Sequence, residues 1–397
     1  MVSDFDKELN ISYVDETLPR PSNRLIIKHC LCSYIIYFVI YIFLKYNDFF
    51  NDFFVNDLSS LYLILFLCYI FLAPVIYFIF RPKSLYRSHS IDVCNYIYRT
   101  TTKLFSKDTA INKNYQDVFS FFIPTYYEKQ ALMLTFIKMY FGCIMTGLLY
   151  KSIPDIINNL QMFYKTFLCF IENFTTPKVF VNFISDNSID LYVAAVSSFL
   201  ILDLLVFSFG YITETAFLNN KIRTVDTNLL GVFFCLISYS PFVSITNAFV
   251  GSSCVKTVFT LPDYVPSAIV WAIHLLLLLF VILYALSAVA LGTKASNLTN
   301  RGIVTKFPFN IVRHPAYSTK NLAWVIFSLT FILVDFSSPD FDLKNYVILV
   351  ISVILSRIAY LIIYYFRAVT EERHLMQDPE YQEYAKKVRW RFIPYII

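Results

Sequence analysis

Glycine is scarce in this chain: seven residues among 397. No Gly-x-Gly-x-x-Gly or Gly-x-x-x-x-Gly-Lys spacing exists, so a Rossmann fingerprint and a phosphate-cradling P-loop are both excluded. Cys-x-x-Cys is missing too. The eight cysteines (30, 32, 68, 94, 143, 169, 235 and 254) lie mostly in or beside apolar runs. That placement predicts buried free thiols rather than a zinc site or a disulfide framework, and no metal is expected. Charge is thin as well, at 15% of residues, where a soluble domain averages about 25%. The short alternating segments of a transmembrane β-barrel are absent. Met1–Asn23 is polar and acidic and does not read as a cleaved signal peptide.

What fills the chain is apolar and aromatic. Hydrophobic residues make up 57%, with 41 Phe and 30 Tyr. A water-soluble core of this size cannot absorb them, and runs of about 20 apolar residues span a bilayer. The expected fold is all-α, a polytopic transmembrane helical bundle. Eight spans are predicted: Leu25–Leu44, Leu58–Phe80, Ala131–Tyr150, Asp190–Tyr211, Asn228–Val250, Pro266–Leu291, Asn321–Ser338 and Tyr346–Phe366. Ile156–Phe174 carries Asn158, Asn159, Gln161, Lys165 and Glu172, and reads as a helix lying in the interface. The organisation follows: a polar segment 1–24, an N-terminal membrane region 25–290 with a polar loop 81–130 expected to form short helices, and a C-terminal core 291–397.

An even number of spans places both termini on one side. The N-terminus through Lys28 in the first turn of span one, the loops 81–130, 212–227 and 292–320, and the tail from Arg367 together hold 25 Lys and Arg, against 6 on the other face. That bias puts both ends in the cytoplasm. The net charge of +5 is explained by this asymmetry, and no nucleic-acid partner is implied.

The groups able to do chemistry concentrate near the end. In Arg313-His314-Pro315, proline suits the first position of a helix and His314 the N-cap. The helix N-terminus there, with Arg313, favours an anion. Span eight has no breaker at its polar end and should continue through Arg367 to Glu371 and Glu372. Arg367 and Glu371, four apart, share a face, and Glu372 lies about 100° further round. One acid could pair with a base while the other stays open to hydroxyls. Tyr381, Tyr384 and Val388 line one face of an amphipathic cytoplasmic helix. Inside the spans, Arg357 should seek a partner, Asp203 in span four being the candidate, as a structural ion pair or the floor of a substrate cavity. Lys138 either snorkels or joins that network. His274 reads as an interhelical hydrogen-bonder. Arg223–Thr227, on the same side as the termini, either contributes to the site or, the preferred reading, starts a helix capped by Asp226 or Thr227.

Arg-His-Pro-x-Tyr, a helical pair, Glu-Glu, Tyr-x-x-Tyr and a final Ile-Pro, in that order, resemble the isoprenylcysteine carboxyl methyltransferase family. The broader phospholipid methyltransferase group shares the layout. The resemblance runs from about Leu291 to the C-terminus, roughly a quarter of the chain. The family's Gly-Pro-Tyr before Arg-His-Pro is here Phe307-Pro308-Phe309. The resemblance implies an integral-membrane enzyme using S-adenosylmethionine on a lipid or lipid-linked acceptor. Arg313, His314 and Tyr317 would meet the cofactor's methionine end, and Glu371 or Glu372 its ribose hydroxyls. A carboxylate acceptor needs orientation, for which Arg367 is suited. An amine acceptor needs a base, Glu371 or His374. Two other readings stand beside this one: an NADPH-dependent sterol or enone reductase, whose C-terminal helical core is comparable, and a non-enzymatic transporter or scaffold.

Overall fold

The computed structural model describes residues 18–46, 58–105, 122–174, 176–214, 218, 220–239, 242, 264–333 and 342–396. Its regular structure is almost all helix, with one two-stranded ribbon among the described residues. Six helices are long and apolar enough to cross a membrane: α1 (Asn23–Tyr46), α2 (Leu58–Phe80), α4 (Tyr126–Lys151), α7 (Ser188–Ile212), α9 (Ser267–Leu291) and α11 (Leu343–Leu375). Their large side chains stay exposed, Phe71 at 72% and Phe80 at 73%. In water such surface would aggregate; against lipid it costs nothing, because acyl chains are as apolar as the side chains. This is a membrane protein.

The two remaining predicted spans are not among the six. In 228–250, helix α8 (Leu229–Leu236) forms, and beyond 239 the segment lies outside the described residues save for 242. The seventh is α10 (Pro315–Ile332), 18 residues long, whose predicted end at 334–338 also falls outside. The polar loop forms a 3-10 turn (Lys83–Arg87) and α3 (His89–Phe105) before residues 106–121, which are outside.

The chain divides into two compact units drawn from non-contiguous stretches. Unit one comprises residues 1–151, 211–227 and 297–301. In it α1 packs on α2 and α3, and α3 on α4. Thr224–Val225 (β1) pairs antiparallel with Thr299–Asn300 (β2). The Gln130 amide extends that ladder sideways: Nε2 donates to Val225 O at 2.9 Å and Oε1 accepts from Val225 N at 2.6 Å. The expected helix start at Arg223–Thr227 instead holds the strand Thr224–Val225, and the cap of α8 is Asn228, whose side chain accepts from Leu230 N at 3.0 Å. Asp226 and Thr227 do not cap it. The reason is a long-range pairing: Arg223 N and Asp226 N donate to Asn300 O and Leu298 O, holding the backbone extended up to the cap. Arg301, buried, donates to Thr213 O and Asn220 O. Lys138 has an acid of its own, binding Glu214 at 2.8 Å.

Unit two comprises residues 152–210, 228–296 and 302–397. Helix α5 (Ile153–Glu172) is amphipathic, as its polar residues require, and Asn159 Nδ2 ties it to Ser197 Oγ and Ser198 Oγ of α7 at 2.8 and 3.1 Å. A short α6 (Pro177–Asp186) follows. α9 packs along α10, and α11 against both α8 and α10. Gly210 marks a close approach: a Cβ there would lie 2.1 Å from Ala295 O. α9 stops at Gly292, whose φ of +52° a larger residue would resist. His274 hydrogen-bonds within its own helix, Nδ1 to Val270 O at 2.7 Å, and meets α7 through an edge-on ring contact with Tyr192.

Candidate functional site

The site grows from the start of α10. Pro315 occupies the first helical position and His314 precedes it as the N-cap residue, but the imidazole does not cap the helix. The backbone is claimed by the tail: Arg313 N and His314 N donate to Trp390 O and Arg391 O, each at 2.9 Å. Ser318 Oγ, one turn on, donates to Phe392 O at 2.7 Å. Residues 390–392 are thus stitched to the Arg-His-Pro turn.

The side chains converge on Glu372. α11 continues past Phe366 for more than two turns and presents this carboxylate to the turn. Glu372 Oε1 accepts from Arg313 Nε (2.9 Å), His314 Nε2 (3.0 Å) and Arg391 Nε (3.1 Å). Oε2 accepts from Arg391 Nη2 (2.8 Å) and Arg313 Nη2 (3.3 Å). A carboxylate offers about four lone-pair sites, so Glu372 is saturated. It accepts only, which assigns the His314 proton to Nε2. The hydrogen bonds to Glu372 raise the Arg391 pKa above its ordinary value, against the lowering effect of burial.

Glu371 faces elsewhere, as one step round a helix demands. Its Oε2 accepts from Tyr317 OH at 2.6 Å, and Oε1 has no protein hydrogen bond among the described residues. The Tyr317 ring stacks on His314, centroids 5.2 Å apart and planes 8° off parallel. Arg367, one turn back on α11, lies among three tyrosines, its Cζ 5.0 Å from the Tyr317 ring, 5.2 Å from Tyr239 and 5.6 Å from Tyr364. Its Nη2 donates to Tyr239 OH at 3.3 Å. Lys320 Nζ sits 5.7 Å from both the Tyr284 and Tyr364 rings, and Tyr284 OH donates to Asp203 Oδ2 at 2.8 Å.

The amphipathic helix α12 (Pro379–Lys387) starts on Asp378, whose side chain accepts from Glu380 N. Its aromatic face is present but spent on protein. Tyr381, Tyr384 and Val388 pack on Ile303, Phe309 and Leu375, and Tyr384 OH donates to Phe309 O at 2.7 Å. The segment Phe307-Pro308-Phe309, joined by a cis peptide, is what this helix rests on.

Of the residues singled out in the sequence, the structure brings together Arg313, His314, Tyr317, Arg367, Glu371 and Glu372. It does not join Arg357 to Asp203. Asp203 is engaged by Tyr284, while Arg357 lies over the rings of Trp324 and Tyr360 and donates to Ser356 Oγ. Aromatic rings can hold a guanidinium without an acid. His374 is buried in α11. Sequence reading missed Arg391, Lys320, Tyr239, Tyr284 and Tyr364. Tyrosine at 30 copies carries no signal of its own, and Arg391 is indistinguishable in sequence from a solvated tail cation.

No family model, no curated protein and no solved structure matches this chain.

Proposed function

We propose that this protein is an integral membrane methyltransferase that uses S-adenosylmethionine on a lipid-soluble or lipid-linked acceptor, with its site at the cytoplasmic ends of α10 and α11. One observation carries the reading. Three basic side chains saturate Glu372, and the adjacent Glu371 keeps one carboxylate oxygen open beside a stacked Tyr317–His314 pair. Glu372 then positions the turn, and Glu371 is the acid left to receive the two hydroxyls of a ribose.

The residues present fit the cofactor's groups. A diol suits Glu371 Oε1. Tyrosine faces suit a sulfonium, as they suit any soft cation. A carboxylate suits the start of α10, where the helix dipole and Arg313 add positive potential. When bound, the cofactor supplies an activated methyl group for one-step in-line displacement. The chain's own work is to hold donor and acceptor in line and keep water out. Arg367, held by its three tyrosines, is placed to orient an acceptor's anionic end. The excess of Lys and Arg on the side of the termini supports a cytoplasmic site and both ends in the cytoplasm.

Calorimetric titration of S-adenosylmethionine into the detergent-purified protein tests the proposal. Saturable binding by wild type that is lost in Glu371→Gln supports it. A well-folded wild type that ignores S-adenosylmethionine and binds NADPH instead would transfer the site to a reductase.

A further inference from the structure

Lys320, Tyr364, Tyr284 and Asp203 take no part in the proposed methyl transfer, yet they form one connected set. Four helices of unit two supply them: α7 brings Asp203, α9 Tyr284, α10 Lys320 and α11 Tyr364. Tyr284 is the link. Its hydroxyl donates to Asp203 Oδ2 at 2.8 Å, and Lys320 Nζ sits 5.7 Å from its ring centroid. Tyr364 carries the row towards Arg367, with Lys320 Nζ 5.7 Å and Arg367 Cζ 5.6 Å from its centroid.

The set holds an acid and a base that do not pair. Opposite charges away from bulk water attract most strongly in direct contact, but among the described residues no acid lies within ion-pair distance of Lys320. Its ammonium donates to the Tyr364 oxygen instead, a neutral acceptor that leaves the positive charge unmatched. Asp203 spends Oδ2 on Tyr284, and its Oδ1 is buried with no hydrogen-bond partner among the described residues. Buried polar atoms are almost always met by a partner, and an unmet one is costly. Both Lys320 and Asp203 remain partly exposed as residues, so a ligand can reach them.

Ionisable side chains among membrane helices mark a ligand path by default, and this pair restricts what the ligand is. Lys320 asks for an anion. Asp203 Oδ1 asks for a hydrogen-bond donor. A bare anion meets repulsion from Asp203, and a cationic donor meets repulsion from Lys320. A head group that carries an anion with a neutral donor beside it satisfies both, and Tyr284, touching both residues, requires the two groups to share one small head.

We propose that Lys320 and Asp203 form a binding site for the head of an amphiphile carrying an anionic group, carboxylate or phosphate, beside a hydroxyl. Lys320 holds the anion, and Asp203 Oδ1 accepts the hydroxyl hydrogen. The site does not rest on methyl transfer, and its test contains no S-adenosylmethionine.

Full-length protein in an uncharged maltoside detergent is titrated calorimetrically with two pairs of probes. One pair is α-hydroxymyristate and myristate; the other is monomyristoyl lysophosphatidate and myristyl phosphate. In at least one pair the hydroxylated member should bind wild type about tenfold tighter, the worth of a hydrogen bond to a charged group. The pair that shows the gap identifies the anion as carboxylate or phosphate. Monomyristoylglycerol, which has hydroxyls and no charge, should bind about tenfold more weakly than the preferred probe. Lys320→Met should bring the anions down to the level of monomyristoylglycerol. Asp203→Asn keeps an acceptor for Tyr284 and should erase the preference for the hydroxylated member, which a general loosening of the fold would not do selectively. The proposal is overturned by no gap in either pair, by a preference that survives in folded Asp203→Asn, or by folded Lys320→Met binding the anions like wild type. If Lys320→Met does not fold, the wild-type and Asp203→Asn comparisons decide.

Discussion

Two adjacent glutamates face different partners, and neutralising each should separate their roles. Glu372→Gln leaves Arg313 and Arg391 facing an uncharged amide in a buried place. Breaking a buried ion pair from one side costs about 3–5 kcal/mol, so this variant should lose thermal stability in detergent before any ligand is added. Glu371→Gln keeps an acceptor for Tyr317 and removes the charge. Its melting temperature should stay within error of wild type while S-adenosylmethionine affinity falls about tenfold or more, the worth of a hydrogen bond to a charged group. A melting shift in Glu371→Gln equal to that of Glu372→Gln would assign both acids to structure. Glu214 gives a pH prediction. Burial alone would raise its pKa, but the Lys138 charge outweighs this and holds it down to about 2, from 4.5. A lowered folded pKa stabilises above the unfolded value and is lost as pH falls. Melting temperature should therefore drop between about pH 4.5 and pH 2. Lys138→Met should destabilise at pH 7 and flatten that acid limb, read by scanning calorimetry across the window.

The elements meet through small residues and short polar clips. At Gly210, on α7, the backbone of Ala295 leaves no room for a methyl group. Gly210→Ala has to push α7 off a carbonyl, which cannot rotate away as a side chain would. Overpacking of this kind costs about 1–3 kcal/mol or more, and the folded yield on size-exclusion chromatography should fall. Asn159 clips α5 to α7 at two serines, which explains how a helix with a half-polar surface stays attached to an apolar one. Helix periodicity revealed both amphipathic faces, α5 and α12. It could not reveal what the α12 face would cover, because Tyr381 and Tyr384 find Ile303 and Phe309 some 75 residues away, and no spacing rule reaches that far.

Across the whole molecule, the chain is interleaved. Asn297–Arg301 belongs to unit one although both flanks belong to unit two. A fragment of residues 291–397 would carry Arg301 away from Thr213 O and Asn220 O, leaving a buried guanidinium and an unpaired β2. We expect that fragment not to fold alone in detergent, as judged by circular dichroism and a cooperative melt. Orientation is a separate matter. On the proposed topology, with 25 Lys and Arg on the side of the termini and 6 on the other, single cysteines placed at Lys103 and Lys387 should react with an impermeant maleimide only after cells are opened. Labelling of either in intact cells would reverse the topology.

By itself the sequence determined that this is a helical membrane protein and where its bases and acids cluster. Apolar runs of spanning length, scarce glycine and a clustered set of bases and acids are properties of composition and local period, and they survive any packing. The cap at His314–Pro315 and the opposite facing of Glu371 and Glu372 follow from helix geometry over one turn. Only the tertiary structure decided partners. It paired Glu372 with Arg391, seated Arg367 among tyrosines, sent Asp203 to Tyr284 and put Thr224–Val225 into a strand. The reason is that a buried charge takes the nearest group able to hold it, and which group is nearest is set by how distant helices meet.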